Sequence, residues 1–174
     1  MKNLSKSSKG FTLIELLIVI AVLGILAAVV LVAIDPVQQL ARGRDAGRKT
    51  SIGQLGRALQ AYYTVRSQYL TSAEWTTAPN QLVSAGEIQA FPANPAYSGA
   101  FACTTPTVFQ GYCYNTGLVA GTPQAVVYAR LESNSENSKC APNIAWFAFA
   151  TNQGRAGIVC TPAADPSLTP TFLP

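Results

Sequence analysis

Apolar residues fill the chain from Phe11 to Ile34 on every helical face, and Glu15 is the only ionisable side chain among them. At about 1.5 Å of rise per residue, a helix of that length crosses the roughly 30 Å hydrocarbon core of a bilayer. A core helix of a soluble protein would show a polar stripe, and this run has none. A secretory signal has a shorter apolar region with a small-residue cleavage site after it. A plain single-pass anchor accounts for the length but for neither Glu15 nor Gly10 at the border. The pattern predicts a membrane helix over 11–34.

At Asp35-Pro36 the pattern changes. Pro36 cannot donate to the carbonyl of Val32, so a kink or loosening is expected there. From Val37 to about Arg66, Leu40, Ile52, Leu55, Leu59, Tyr62 and Tyr63 recur at three- and four-residue steps, which predicts an amphipathic helix over 35–66. Arg42, Arg44, Arg48, Lys49, Arg57 and Arg66 are read as the polar residues around it. Gly43, Gly47, Gly53 and Gly56 each cost up to about 1 kcal/mol relative to Ala, so packing must compensate. The Gly43-x-x-x-Gly47 spacing admits two readings, close approach of neighbouring backbones or a loosened linker.

Beyond Ser67, Thr77 and Pro79 offer a helix start and Gly86 a stop, giving a short helix over 78–85, and Phe91-Pro92 and Asn94-Pro95 break the chain beyond it. Strand signals then cover Val108 to Tyr114, Ala125 to Glu132, Ile144 to Ala150 and Gly157 to Cys160, separated by Asn-Thr-Gly, Asn-Ser and Asn-Gln-Gly turns. Tyr112 with Tyr114 and Ile144 with Trp146 keep the two-residue step of one strand face. The expected fold is α+β: a long N-terminal helix, membrane half plus amphipathic half, packed on a small antiparallel β-sheet. The sheet lies in a head over 67–160, followed by a Pro-rich tail over 161–174 for which no fixed order is expected.

The 174 residues leave room for one membrane helix and one modest soluble domain. The net charge of +4 invites an anionic partner, but Lys2, Lys6 and Lys9 lie before the apolar run. Without them nine basic residues face eight acids, which weakens a nucleic-acid reading built on charge. The chain has no histidine, which removes Ser-His-Asp and Cys-His catalysis together with the commonest metal ligand. No phosphate-binding glycine loop and no nucleophile elbow appears either. The reading is a non-enzyme without cofactor or metal.

Cys103, Cys113, Cys140 and Cys160 are an even set beyond a membrane helix, without Cys-x-x-Cys spacing, which suits two disulfides in an oxidising exterior. Of three connectivities, Cys103 with Cys113 and Cys140 with Cys160 close short loops and are the expected pairs. Oxidised cysteines would also place the residues after the helix outside the cytoplasm. A Lys/Arg count does not decide this, because Arg42, Arg44, Arg48 and Lys49 rival the leading lysines. Those four cations suit either phosphate, of lipid or captured DNA, or a solvated face between subunits, and the second is preferred. The oxygen-rich loop from Glu132 to Asn137 lacks EF-hand spacing and is read as a solvated turn rather than a calcium site.

A carboxylate in a membrane helix is costly and needs a partner. A cut after Gly10 would leave an amino group on Phe11, at the i,i+4 spacing from Glu15 where side chains of one face meet. The basic leader, Gly10, Phe11, Thr12-Leu13-Ile14, Glu15 and Leu16-Leu17 resemble the class III signal of type IV pilins and of the pseudopilins of type II secretion. Many pilins carry a helix-loosening Pro within the membrane run; here Val32 stands near that point and Pro36 comes after it. The resemblance implies that a prepilin peptidase removes residues 1–10 and methylates the Phe11 amine. It also implies assembly with copies of itself and other pilins, with Glu15 answering a neighbour's amine in the filament centre. The subunit would sit in the cytoplasmic membrane as a single pass among lipid, head outside, and then in an extracellular or periplasmic filament. The rival reading is a membrane-tethered adhesin or DNA-binding module that never polymerises.

Overall fold

The computed structural model describes residues 10–93, 96–97, 103, 107–162 and 165–174. The leader up to Lys9 and the Asn94-Pro95 break therefore lie outside the described residues. Two compact units meet in the chain between Gln39 and Leu40.

The first unit is dominated by α1, Leu13–Ile34, 22 residues long with none buried. It is long and apolar enough to cross a membrane. Thr12 caps its start, and Asp35 ends it in the left-handed region at φ 45°. Helix resumes at once in α2, Pro36–Arg66, where Pro36 occupies a first-turn position that needs no N–H donor. The Asp35 carboxylate accepts from Gln38 N at 3.2 Å, satisfying one of the orphan donors of that first turn.

In the second unit, the remainder of α2 buries Ala41, Asp45, Arg48, Ile52, Leu55, Leu59 and Tyr62, a stripe advancing by alternate steps of four and three. Leu40, expected on the apolar face, is 65% exposed. Arg48, expected among the outward polar residues, is fully buried. Asp45 and Arg48 hold stripe positions where apolar residues would stand.

The sheet is a meander in the order β1-β2-β3-β4-β5, every neighbouring pair antiparallel. Its strands are β1 Val108–Phe109, β2 Tyr112–Val119, β3 Thr122–Arg130, β4 Ile144–Ala150 and β5 Arg155–Thr161. The strand expected over 108–114 is broken by a two-residue turn, Gln110-Gly111, at φ 49° and 79°. The expected Asn115-Thr116-Gly117 turn lies inside β2, and the chain reverses instead at Ala120-Gly121, at φ 52° and 80°. Paired positive φ values give the turn twist that suits a tight hairpin.

The period of two sorts β3 between two cores. Ala125, Val127 and Ala129 join Tyr112, Tyr114 and Phe149 against Ile52, Leu55, Ala58, Leu59 and Tyr62 of α2. Val126 and Tyr128 join Cys113, Trp146, Ala148 and Val159 on the opposite face, which Leu168 and Phe172 cover. The helix and sheet approach so closely at Gly56 that a Cβ there would enter the Phe149 ring. Residues of the expected unordered tail are thus part of the second core. Leu173 N donates to Ile158 O at 2.8 Å, Gln153 Nε2 donates to Pro170 O at 2.8 Å, and Gly157 leaves the space that the Phe172 ring fills.

The connection between α2 and β1 carries two short helices, α3 Ser72–Thr76 and α4 Gln81–Ser84, in place of one over 78–85. Thr71 caps α3 in a reciprocal box with Glu74, which positions Trp75 in the core against Tyr114. The expected Asn-Ser turn is the start of a further helix, α5 Asn134–Cys140, between β3 and β4.

Candidate functional site

Gly10 and Phe11 precede the helix cap, and Phe11 is 93% exposed. A side chain added at Gly10 would meet nothing within 4 Å, so the bond between these residues is open on both sides among the described residues. Thr12 and Glu15 form a capping box. Glu15 Oε2 accepts from Thr12 N at 2.8 Å and from Thr12 Oγ1 at 2.7 Å, while Glu15 N donates to Thr12 Oγ1 at 3.3 Å. The carboxylate also sits in the first helical turn, where the backbone dipole favours negative charge. Glu15 therefore has a partner within its own chain. Sequence reasoning passed over it, although Ser/Thr-x-x-Glu before an apolar run is the signal for such a box. Both Thr12 donors lie after Gly10, so a cut at that border leaves the box intact and adds an amine at Phe11.

The second unit holds a charge cluster that joins α2 to the β3–α5 connection. Asp45, 2% exposed, accepts from Glu132 N at 2.9 Å, Ser133 N at 2.8 Å and Arg48 at 3.0 Å. Ser133 is the N-cap of α5 and makes no side-chain cap bond, so the Asp45 carboxylate supplies negative charge at that helix start from outside. The Arg48 guanidinium bridges Asp45 and Glu132 and lies 3.8 Å from the centre of the Tyr97 ring. Arg44 grips Glu132 with two donors, Nε at 3.2 Å and a terminal nitrogen at 2.7 Å, and its pairing with Glu132 raises its pKa further. Glu136 accepts from Lys49 at 2.6 Å and Lys139 at 2.8 Å. Partial burial works against the Glu136 carboxylate, but these two ammoniums prevail and hold its pKa below the usual range.

The expected roles of these residues change accordingly. Arg44, Arg48 and Lys49 hold elements of the second unit together rather than forming a solvated face, and Arg42 alone of that group is exposed without a side-chain partner among the described residues. The 132–137 segment is docked, with Ser133 buried and both its carboxylates facing cations, rather than a solvated turn. The sequence signal was present as i,i+3 spacing of Asp45 and Arg48 at stripe positions, but its acidic partner lies on a different element.

Cys103 is joined to Cys113 of β2, and Cys140 at the end of α5 to Cys160 of β5, with Cα separations of 6.3 Å and 5.2 Å. Among the described residues no group of three or more His, Cys, Asp or Glu is placed to hold a metal ion.

Residues 5–31 match the family model of the prokaryotic N-terminal methylation motif. The chain carries this motif, the class III signal of type IV pilins and pseudopilins, across the Gly10-Phe11 border and most of α1. No curated protein and no solved structure matches the chain.

Proposed function

We propose that this chain is a structural subunit of a type IV pilus or pilus-like filament, cut between Gly10 and Phe11, methylated at the Phe11 amine and polymerised through α1. The observation that carries the reading is the methylation motif over 5–31 at the head of a helix of 22 residues, none of them buried. Fully burying one Leu or Ile side chain is worth about 1.5–3 kcal/mol, so such a helix needs a cover, first lipid and then the helices of other subunits. Glu15 changes partner with state: Thr12 in the single subunit, and a neighbour's Phe11 amine in the assembled core, where an amine without a counter-charge would be costly. Prepilin peptidase and further copies of the chain are the partners this requires. The head, with both disulfides, lies outside the cytoplasm.

Mass spectrometry of the subunit from membranes and from sheared surface material tests the reading. The expected N-terminus is Phe11, heavier by about 14 Da for one methyl group. An intact Met1 terminus in membrane-extracted chain overturns it.

A further inference from the structure

The bond between Gly10 and Phe11 lies just ahead of Thr12, the cap of α1, and side chains stop the helix short of it. The first helical hydrogen bond runs from Leu16 N to Thr12 O at 3.3 Å. The next one backward would run from Glu15 N to Phe11 O, and the one after that from Ile14 N to Gly10 O, the carbonyl of the bond itself. Neither forms among the described residues. Thr12 Oγ1 takes the Glu15 amide at 3.3 Å, and Glu15 Oε2 takes the Thr12 amide at 2.8 Å, a donor that a longer helix would turn back toward the leader. Thr12 sits at φ −81° and ψ 151°, so the chain leaves the helical path at this residue. Phe11 carries no stop signal of its own.

We infer that the Thr12 hydroxyl is the positioning group that keeps the Gly10-Phe11 bond out of the helix and within reach of the peptidase. The inference rests on the cleavage reading above and names the residue that prepares the substrate for the cut. A peptide bond inside a helix has its carbonyl occupied by an N–H four residues on, and that turn must open before a protease can draw the segment into an extended strand. Apolar surroundings make the opening harder, because a freed backbone group finds no water there. With the hydroxyl in place the segment is already open: Phe11 is 93% exposed, and a Cβ at Gly10 would meet nothing within 4 Å. Without it, Glu15 N can pair with Phe11 O and Ile14 N with Gly10 O, which closes one more turn over the bond. The Glu15 carboxylate has a lesser part, since Glu15→Ala removes the Oε2 acceptor but leaves the residue-15 amide on Thr12 Oγ1. The cut therefore tolerates loss of the carboxylate better than loss of the hydroxyl.

The test is cleavage of the full chain in detergent by a prepilin peptidase, followed by mass spectrometry as loss of residues 1–10. Thr12→Val keeps the shape of the side chain and removes the hydroxyl. It should raise KM about fivefold and leave kcat unchanged, because only the fraction of chain with the turn open binds. Thr12→Ser and Thr12→Asn cap a helix at least as well as threonine and should be cut with the wild-type KM. Asn shares neither the hydroxyl nor the methyl of threonine, so its recovery separates a cap from a peptidase pocket that reads threonine itself. A wild-type KM for Thr12→Val, or the same loss in Thr12→Asn as in Thr12→Val, overturns this role and leaves the cut after Gly10 standing. A wild-type chain that keeps residues 1–10 overturns both.

Discussion

α1 and the packed part of α2 each carry an acid and a glycine in a helical run, and the fates of these residues are opposite. In α1, Glu15 is exposed and bound to a threonine three residues away; in α2, Asp45 is buried and bound to backbone and side chains from elsewhere in the fold. A Cβ at Gly24 of α1 would meet nothing within 4 Å, whereas one at Gly56 of α2 would meet the Phe149 ring. The same residue types thus make tertiary contacts in one region and only local, solvent-facing ones in the other. Under the proposed filament reading, Glu15 rather than Asp45 is the acid that assembly would use.

The strongest way to break this comparison is to exchange the two acids for alanine. Asp45→Ala leaves Arg48 short of a partner at full burial and strands the Glu132 and Ser133 amides. Removing one partner of a buried pair costs about 3–5 kcal/mol, so denaturant unfolding of the detergent-solubilised chain should show most of its stability gone. Glu15→Ala should leave that unfolding curve unchanged and the cut at Gly10 intact while filaments disappear. Wild-type filament numbers from Glu15→Ala cells would refute the charge-matching role of Glu15.

The glycines sharpen the contrast in sign. By helix propensity alone, alanine at either position stabilises by up to about 1 kcal/mol. At Gly56 the added methyl would displace the Phe149 ring, and overpacking of this kind costs about 1–3 kcal/mol. Thermal melts should therefore drop for Gly56→Ala and hold or rise for Gly24→Ala. An increase for Gly56→Ala would show that the helix-to-sheet distance relaxes at no cost.

How much of the molecule is legible in its sequence divides along the same line. The long apolar run, the Gly10-Phe11 border and Glu15 are local features, written in consecutive residues, and the strand content of the second half comes from alternation. The Gln110-Gly111 and Ala120-Gly121 turns escaped because their first residues are not the Asn or Asp that signals a left-handed turn. Asp45 and Arg48 escaped for a different reason: a charge looks outward until its partner is known, and Glu132 lies far away in sequence. The docked tail was missed because Pro-rich composition argues against strands, while Phe172 and Leu173 need only the β5 edge and the space above Gly157.

A smaller effect separates the exposed rim of the charge cluster from its buried centre. Glu136 has a folded-state pKa below its ordinary value of 4.5, so its pairing adds stability above that value, and this is lost as pH falls through the lowered pKa. Partly exposed pairs are worth at most about 1 kcal/mol. Lys49→Met should flatten the acid limb of stability against pH by that much and leave neutral-pH folding cooperative. An unchanged acid limb would assign the loss to other carboxylates.

The subtlest contrast is in local opening. At the end of α1 the backbone passes through Asp35 at φ 45°, Pro36 has no N–H to give Val32, and Gln38 N is held by a side chain at 3.2 Å rather than by a full helical turn. No side chain from Val32 to Leu40 is buried, so opening this stretch exposes little that was covered. From Leu55 to Tyr62 the ladder is unbroken and Leu55, Leu59 and Tyr62 are sealed against the sheet, so an amide there opens only when the core does. Hydrogen exchange on the detergent-solubilised chain should be faster over Val32 to Leu40 than over Leu55 to Tyr62. Asp35→Asn should preserve the difference, since Asn tolerates the left-handed region and keeps an oxygen for Gln38 N, whereas Asp35→Val should widen it by losing both. Equal protection in the two windows would remove the case for a hinge at Asp35-Pro36.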